Sequence, residues 1–326
     1  MKTIIFEKPG KAENLQFGTA EKPQISEDEI LIKVKAAGLN RADIMQRQGK
    51  YPPPKGASEI LGLEISGEVT ELGDNVSKWK IGDEVFGLIP GGGYAEFSKM
   101  HKDMAIKKPA ELSFEEAAAI PEVFLTAYQA LFWNAKLRKD DFVLIHAGGS
   151  GVGTAAIELV KDTGAHAIIT ASKGKHDTCL KLGAEKTIDY KSQQFDDEVL
   201  NFTNNKGADI IIDFIGADYF EKNIRCLNQN GRLIFLATLG GSKINQVDIR
   251  KIMSKWISIT GSTLRTRNLD YQIKLTKEFA DYSLEKFKTG KLKPVIAKVF
   301  DWRDASEAHK YLEAGKNIGK LVLKID

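Results

Sequence analysis

Six short apolar runs alternate with helix-patterned segments through the middle of the chain: FVLIHA (142–147), AHAIITA (165–171), KTIDY (186–190), DIIIDFIG (209–216), RLIFLAT (232–238) and ISITG (257–261). Between them lie stretches such as TAAIELVKDTG and KHDTCLKLGA, whose apolar residues recur at helical spacing. A strand that is apolar at nearly every position has two faces to bury, which a parallel sheet covered by helices on both sides provides. Six such strands is the count of a doubly wound α/β fold. Few other architectures accept this pattern.

The first of these runs feeds directly into a loop, LIHAGGSGVGTAA (Leu144–Ala156). Glycines at 149, 151 and 153 let a backbone turn tightly and lie against a phosphate, and a helix starting near Gly151 points its free N–H groups at the anion. An ordinary tight strand-to-helix turn is the alternative. About 20 residues on, at the end of the second strand, an NAD-binding chain usually places Asp or Glu for the ribose hydroxyls. Here the segment reads TASKGKHD, so Ser172, Lys173 and Lys175 come first and Asp177 lies in the next helix. A hydroxyl and ammonium groups attract a 2′-phosphate that a carboxylate would repel, which favours NADPH over NADH. Lysines simply exposed at a helix start are the other reading, though positive charge there opposes the helix dipole.

The N-terminal third has a different texture. KTIIFE (2–7), EILIKVKAAG (29–38), SGEVTELG (66–73), DEVFGLI (83–89) and YAEFSKM (94–100) alternate partially and are separated by Gly-Asp pairs and the Pro90–Gly93 run. They predict a compact β-rich domain. The tail after a helical segment at 271–290 is again strand-rich, as a segment returning to that domain would be. With 326 residues, about two domains are expected.

Composition excludes several classes. Lys+Arg 47 against Asp+Glu 44 gives a net charge of +3, with lysines scattered, so no basic field points to nucleic acid. Two cysteines, Cys179 and Cys226, make no disulfide framework and suit a reducing compartment. No window reaches the roughly 18–20 apolar residues that span a bilayer, and the N-terminus lacks the features of a signal peptide. A cytoplasmic protein without membrane contact is expected. The five histidines form no metal-ligand pattern, and His176 and Cys179, one helical turn apart, do not make a site alone. No metal is expected, and no nucleophile motif appears.

Taken together, AAGLNRADIMQRQGKYPPP, ILGLEISGEVTELG, HAGGSGVGTAAIEL, DFIG and AHKYLEAGKNIGKLVL carry a resemblance. The chain resembles the zinc-independent quinone oxidoreductases of the medium-chain dehydrogenase/reductase superfamily, and most of all the stress-inducible NADPH quinone oxidoreductase branch related to zeta-crystallin. The resemblance implies a GroES-like catalytic domain (1–121, completed by 266–326) and a Rossmann cofactor domain (122–265). In zinc-dependent relatives a Cys lies where Asn40 stands and a His where Leu63 stands. It further implies that Asn40 and Thr126 contact the nicotinamide ribose region, that Gly151 and Val152 lie at the pyrophosphate, and that Gly148 and Ser150 also bind the cofactor. Ser172, Lys175 and Tyr190 would surround the 2′-phosphate, with Lys173 the alternative to Lys175. Phe214, Ile215, Leu239, Leu264, Arg265 and Asn317 would line the rest of the cofactor cleft. Tyr51, with Asn40, would serve the catalytic centre by facing the substrate.

Blander roles stand beside these. Asn40 suits a turn, Tyr51 suits packing before three prolines, and Asp43 reads better as a hydrogen-bond acceptor than as an acid. Glu64 reads as a buried, paired carboxylate. The expected activity is NADPH-dependent reduction of a quinone by a homodimer. Reduction of a conjugated carbonyl such as an enal or enoyl thioester, or a non-catalytic NADPH-binding redox sensor, are the competing functions.

Overall fold

The computed structural model describes all residues from Met1 to Asp326. The chain divides into two compact units, Met1–Leu125 with Arg265–Asp326, and Thr126–Leu264. In chain order the first unit contains β1 (Lys2–Ile5), β2 (Gln16–Thr19), β3 (Glu29–Leu39), α1 (Arg41–Arg47), β4 (Glu64–Leu72), β5 (Glu84–Leu88), β6 (Phe97–His101), β7 (Ile106–Lys107), α2 (Phe114–Ala118) and the start of α3 (Pro121–Tyr128). The second unit continues with β8 (Phe142–Ile145), α4 (Gly151–Thr163), β9 (His166–Ala171), α5 (His176–Leu182), β10 (Lys186–Asp189), α6 (Phe195–Phe202), β11 (Ala208–Asp213), α7 (Phe220–Cys226), β12 (Leu227–Phe235), α8 (Ile249–Lys255) and β13 (Ser258–Gly261). The chain then returns to the first unit with α9 (Leu269–Lys288), β14 (Ile296–Asp301), α10 (Ala305–Glu313) and β15 (Lys320–Lys324). This is a GroES-like β domain and a Rossmann-type parallel sheet, the α/β architecture expected. No helix is long and apolar enough to cross a membrane.

In the first unit β3 is the strand on which the sheet is organised. One edge pairs with β4, while the other is shared: Glu29–Lys33 pair with β6 and Ala36–Leu39 with β15. Partners on both edges explain why EILIKVKAAGL is buried at most positions. β14 extends the sheet alongside β15 in parallel. The expected strand at 94–100 begins only at Phe97. Tyr94, fully buried, is held singly: its N–H donates to the Leu61 carbonyl and its own carbonyl accepts from Ile4.

A buried charge closes this sheet. Lys320 of β15 donates from Nζ to Glu64 Oε1 (2.6 Å), Asn40 Oδ1 (2.7 Å) and the Leu39 carbonyl (2.9 Å). Neither side chain of the Lys320–Glu64 pair is exposed by more than 3%. Gly38 leaves room for the Glu64 carboxylate, since a Cβ there would lie 2.2 Å from Oε1.

The second unit is a six-stranded sheet in the order β10-β9-β8-β11-β12-β13, with every pair parallel. Leu144, Ile168, Ile188, Ile211 and Leu233 pack one face against Phe195, Val199 and Phe220. The strand order reverses at β8, so the end of β8 is the switch point at which such sheets bind ligands. β12 starts at Leu227, earlier than the apolar run at Arg232: Leu227 pairs with Ala208, and the polar residues that follow bulge before the register resumes at Arg232.

The Lys320 anchor is testable. Breaking a buried pair from one side strands a charge, at a cost of roughly 3–5 kcal/mol. Lys320→Met should therefore lower unfolding free energy in urea by about that amount, and a change within about 0.5 kcal/mol would show the pair to be dispensable.

Candidate functional site

Parallel strands running in one direction deliver all their carboxyl ends to one rim of the sheet. Gly148, Ser150, Gly151 and Val152 follow β8, Ser172 and Lys175 follow β9, and Tyr190 follows β10. Phe214 and Ile215 follow β11, Leu239 follows β12, and Leu264 follows β13. The fold thus gathers on one rim eleven of the residues named from the sequence. Backbone bonds tie adjacent loops: Leu239 N–H donates to the Phe214 carbonyl (3.0 Å) and Gly240 N–H to that of Ile215 (2.7 Å). Tyr190 and Leu239 are exposed, while Phe214 and Leu264 are buried. Thr126 lies on α3, half-buried.

The glycine loop fits an anion. Ser150 caps α4, its Oγ accepting from Gly153 N–H at 3.0 Å. The N–H groups of Gly151 and Val152 at the head of this helix have no acceptor in the chain. Gly153 must be glycine for the loop to fold against the helix, because a Cβ would sit 2.5 Å from the Ala147 carbonyl. The side-chain stem of Lys175 crosses Gly149, where a Cβ would meet Lys175 Cδ at 2.6 Å. Lys173 is exposed. Burial lowers the pKa of Lys175. The stem that packs against the glycine loop is therefore that of Lys175.

Beneath this rim runs a buried polar chain that the sequence did not reveal. His146 Nδ1 lies 3.0 Å from Thr170 Oγ1, and Nε2 lies 2.8 Å from Asn223 Oδ1. Asn223 Nδ2 donates to Asp213 Oδ2 (2.8 Å), and Asp213 Oδ1 accepts from the N–H groups of Ile215 (2.5 Å) and Gly216 (3.2 Å). Asn223 must present its oxygen to the ring because its amide serves Asp213. The imidazole is thus the Nε2–H tautomer, with Nδ1 accepting from Thr170. Burial drives the His146 pKa down to about 4 and that of Asp213 up to about 6. The chain braces the ends of β8, β9 and β11 together.

The first unit holds Asn40, Tyr51, Arg265 and Asn317. Asn40 ends β3, buried, with its backbone N–H on Asp43 Oδ2 (2.7 Å) and its amide on Glu64 Oε1 (2.7 Å). Asp43 also accepts from Gly62 N–H at 3.0 Å, so it is the structural acceptor expected, and burial raises its pKa to about 6. Glu64 is the paired carboxylate expected, and it further accepts the backbone N–H of Glu122 (2.8 Å). Tyr51 is half-buried beneath Arg265, whose guanidinium carbon lies 5.5 Å from the ring centre. Arg265 is held by Gln46 Oε1 (2.9 Å) and the Pro90 carbonyl (2.7 Å). Asn317 is buried and donates to the Gly319 carbonyl (2.8 Å). A cavity of about 540 Å³ reaches Arg265 from the side of Pro54, Ile60 and Gly92, but Asn40, Tyr51 and Glu122 do not line it. The chemistry is therefore placed by the side chains and not by the cavity.

Glu122 is a second residue missed from the sequence. Its signal was a carboxylate inside the apolar run AAAIPEVFL. Its side chain is only partly covered, yet the protein packed around it raises its pKa to about 7, with Glu64 adding to the rise.

Residues 151–281 match the zinc-binding dehydrogenase family and residues 26–110 the alcohol dehydrogenase GroES-like domain. A quinone oxidoreductase-like protein 2 homolog of Nematostella vectensis is 32% identical over 99% of this chain and 86% of the relative. The chain belongs to the medium-chain dehydrogenase/reductase superfamily. It is an oxidoreductase of the medium-chain dehydrogenase/reductase type. The structure of Escherichia coli quinone oxidoreductase complexed with NADPH is similar at 28% identity and a TM-score of 0.90, covering 100% of both chains. That of CurK enoyl reductase is similar at 26% and 0.88, covering 100% of this chain and 99% of the other. Some relatives are longer: the chain spans 65% of a synaptic vesicle membrane protein VAT-1 homolog of Danio rerio, 31% identical over 93% of this chain.

The buried imidazole sets an acid limit on stability. Unfolded, the ring takes a proton near its ordinary 6.5; folded, it resists until about 4. Between these values the unfolded chain binds more protons, so stability present above pH 6.5 is lost as pH falls toward 4. The difference corresponds to about 3 kcal/mol. Urea unfolding of His146→Gln across that range should show a shallower loss than wild type; parallel curves would exclude His146 as the cause.

Proposed function

We propose that the chain is a zinc-independent reductase that takes electrons from NADPH and passes them to a quinone, in the stress-inducible branch named above. The observation that carries this reading is the side-chain stem of Lys175 packed against the glycine loop, with Ser172 and no carboxylate at the end of β9. On this reading Gly148, Ser150, Gly151 and Val152 hold the pyrophosphate, and Ser172, Lys175 and Tyr190 hold the 2′-phosphate. Phe214, Ile215, Leu239 and Leu264, with Thr126, flank the remainder, and Asn40, Arg265 and Asn317 serve the cofactor from the first unit. When bound, the reduced nicotinamide supplies two electrons and one hydrogen. The second unit binds and orients it.

The donor set around Asn40 does not suit a divalent metal. Asn40 offers an amide where a thiolate would be needed, and its oxygen already accepts from the Lys320 ammonium. Tyr51 fits a flat acceptor instead. An aromatic ring can stack on such an acceptor, and burial raises the Tyr51 pKa so that the hydroxyl stays a donor. Reduction of an activated alkene on the same scaffold is the second reading, favoured by the likeness to CurK enoyl reductase.

A homodimer is part of the proposal. β13 is the last strand of its sheet, with an unpaired edge. Ile249 and Met253 on α8, Trp256 at its C-terminal cap and Ile259 on β13 are exposed, an apolar surface suited to a second copy related by a two-fold axis.

Binding and turnover separate the two halves of the reading. Wild type should bind NADPH more tightly than NADH, and Lys175→Ala should lose roughly 1.5–3 kcal/mol for NADPH alone. Equal binding of both by wild type would end the NADPH reading. With quinones, enals and enoyl thioesters compared at saturating NADPH, Tyr51→Ala should lower kcat/KM for a quinone roughly ten- to a hundredfold, leaving NADPH affinity unchanged. Turnover favouring enoyl thioesters would select the second reading.

Light scattering at micromolar concentration should give about twice the 36.1 kDa chain mass, and Trp256→Glu should shift it toward the monomer. A monomeric wild type would refute the dimer.

A further inference from the structure

Glu122 is placed differently from the other acids of the first unit. Asp43 accepts two backbone N–H groups, and Glu64 is spent on Lys320, Asn40 and the Glu122 backbone. The Glu122 carboxyl takes part in no hydrogen bond or ion pair within the chain, although its own backbone N–H is anchored to Glu64 Oε2 at 2.8 Å. It stands in the first turn of α3, and the side chain keeps a route to solvent. Around it lie Glu64 of β4, Asp43 of α1, Lys320 of β15 and Arg265, while Tyr51 feels its charge in turn. The acids Glu64 and Asp43 oppose its ionisation, and Lys320 and Arg265 only partly offset them. A free, anchored, solvent-reachable carboxyl in electrostatic reach of Tyr51 is what proton delivery requires.

We propose that Glu122 is the general acid of the reduction, giving its proton to the acceptor oxygen on the Tyr51 side of the site. This rests on the reductase reading above. The acceptor would gain two electrons and one hydrogen from the reduced nicotinamide, and one further proton completes the reduction. The O–H bond of the Glu122 carboxyl breaks, its electron pair stays on the carboxylate, and the proton forms an O–H bond on the acceptor. Water then returns a proton to Glu122 through its exposed side. Burial and the neighbouring acids hold the group at about pKa 7, where an acid and its conjugate base are both populated. The sign follows directly: the acid is competent while protonated, so turnover is full below pH 7 and falls above it.

The test combines a titration of the protein alone with kinetics. In the cofactor-free protein, infrared difference spectra should show a protonated-carboxyl stretch that titrates near pH 7 and is missing in Glu122→Gln. Under saturating NADPH, Glu122→Gln should lower kcat by roughly a hundredfold, keep the NADPH Kd and melting temperature of wild type, and lose the fall above pH 7. Glu122→Asp should recover part of the rate with a displaced profile. An infrared titration at ordinary carboxylate pH, or a glutamine variant with wild-type kcat and pH profile, would overturn the assignment. A wild type that reduces no acceptor would refute the reductase reading instead, and the infrared titration would still report on Glu122.

Discussion

The first unit depends on one ammonium group placed out of water. Lys320 lies on the last strand, yet its three partners, Leu39, Asn40 and Glu64, come from the first third of the chain. A buried ion pair adds little net stability compared with an apolar substitute, but it penalises every arrangement in which one partner is missing. The contact therefore acts on specificity. β15 satisfies Lys320 only in the register that pairs Leu321 with Leu39 on β3. Ala36, Ala118, Ala119 and Val322 form a buried cluster around that register.

The same contact shapes the chemistry near it. Glu64, committed to Lys320 and Asn40, lies close to Asp43 and Glu122 and makes their ionisation costlier. Asn40 cannot turn its amide elsewhere, because both ends of that amide are engaged. A structural anchor thus sets the electrostatic background of the residues proposed to act on the acceptor. In the second unit the corresponding role falls to a neutral chain. His146, Thr170, Asn223 and Asp213 are all buried, and each donor meets one acceptor. A satisfied network of this kind is rigid, and it lies under the loops that carry Gly148 and Ile215.

Much of this was legible in the sequence. Alternating apolar runs and helical periods identify the parallel sheet because those periods come from backbone geometry, which needs no distant partner to be expressed. The glycine loop and the missing acid after β9 were legible for the same reason: each is a local rule about what the backbone or a phosphate tolerates next to it. The paired state of Glu64 and the acceptor role of Asp43 followed from a charge set among apolar neighbours. Boundaries fared less well where pairing is non-local, as at Tyr94, held by Leu61 and Ile4, and at Leu227, held by Ala208 across a bulge.

The sequence by itself determined the two architectures, the glycine loop after β8 and the absence of a carboxylate at the end of β9. Only tertiary structure decided which lysine reaches that loop, that Lys320 is the partner of Glu64, that His146 is a neutral donor to Asn223, and that Glu122 is left without a partner. The reason is physical. Helix and strand periods, turns and caps depend on residues a few positions apart, whereas the state of a titratable group depends on what lies within a few ångströms in space. For these residues those neighbours come from up to 281 positions away, a separation over which no sequence pattern carries the pairing.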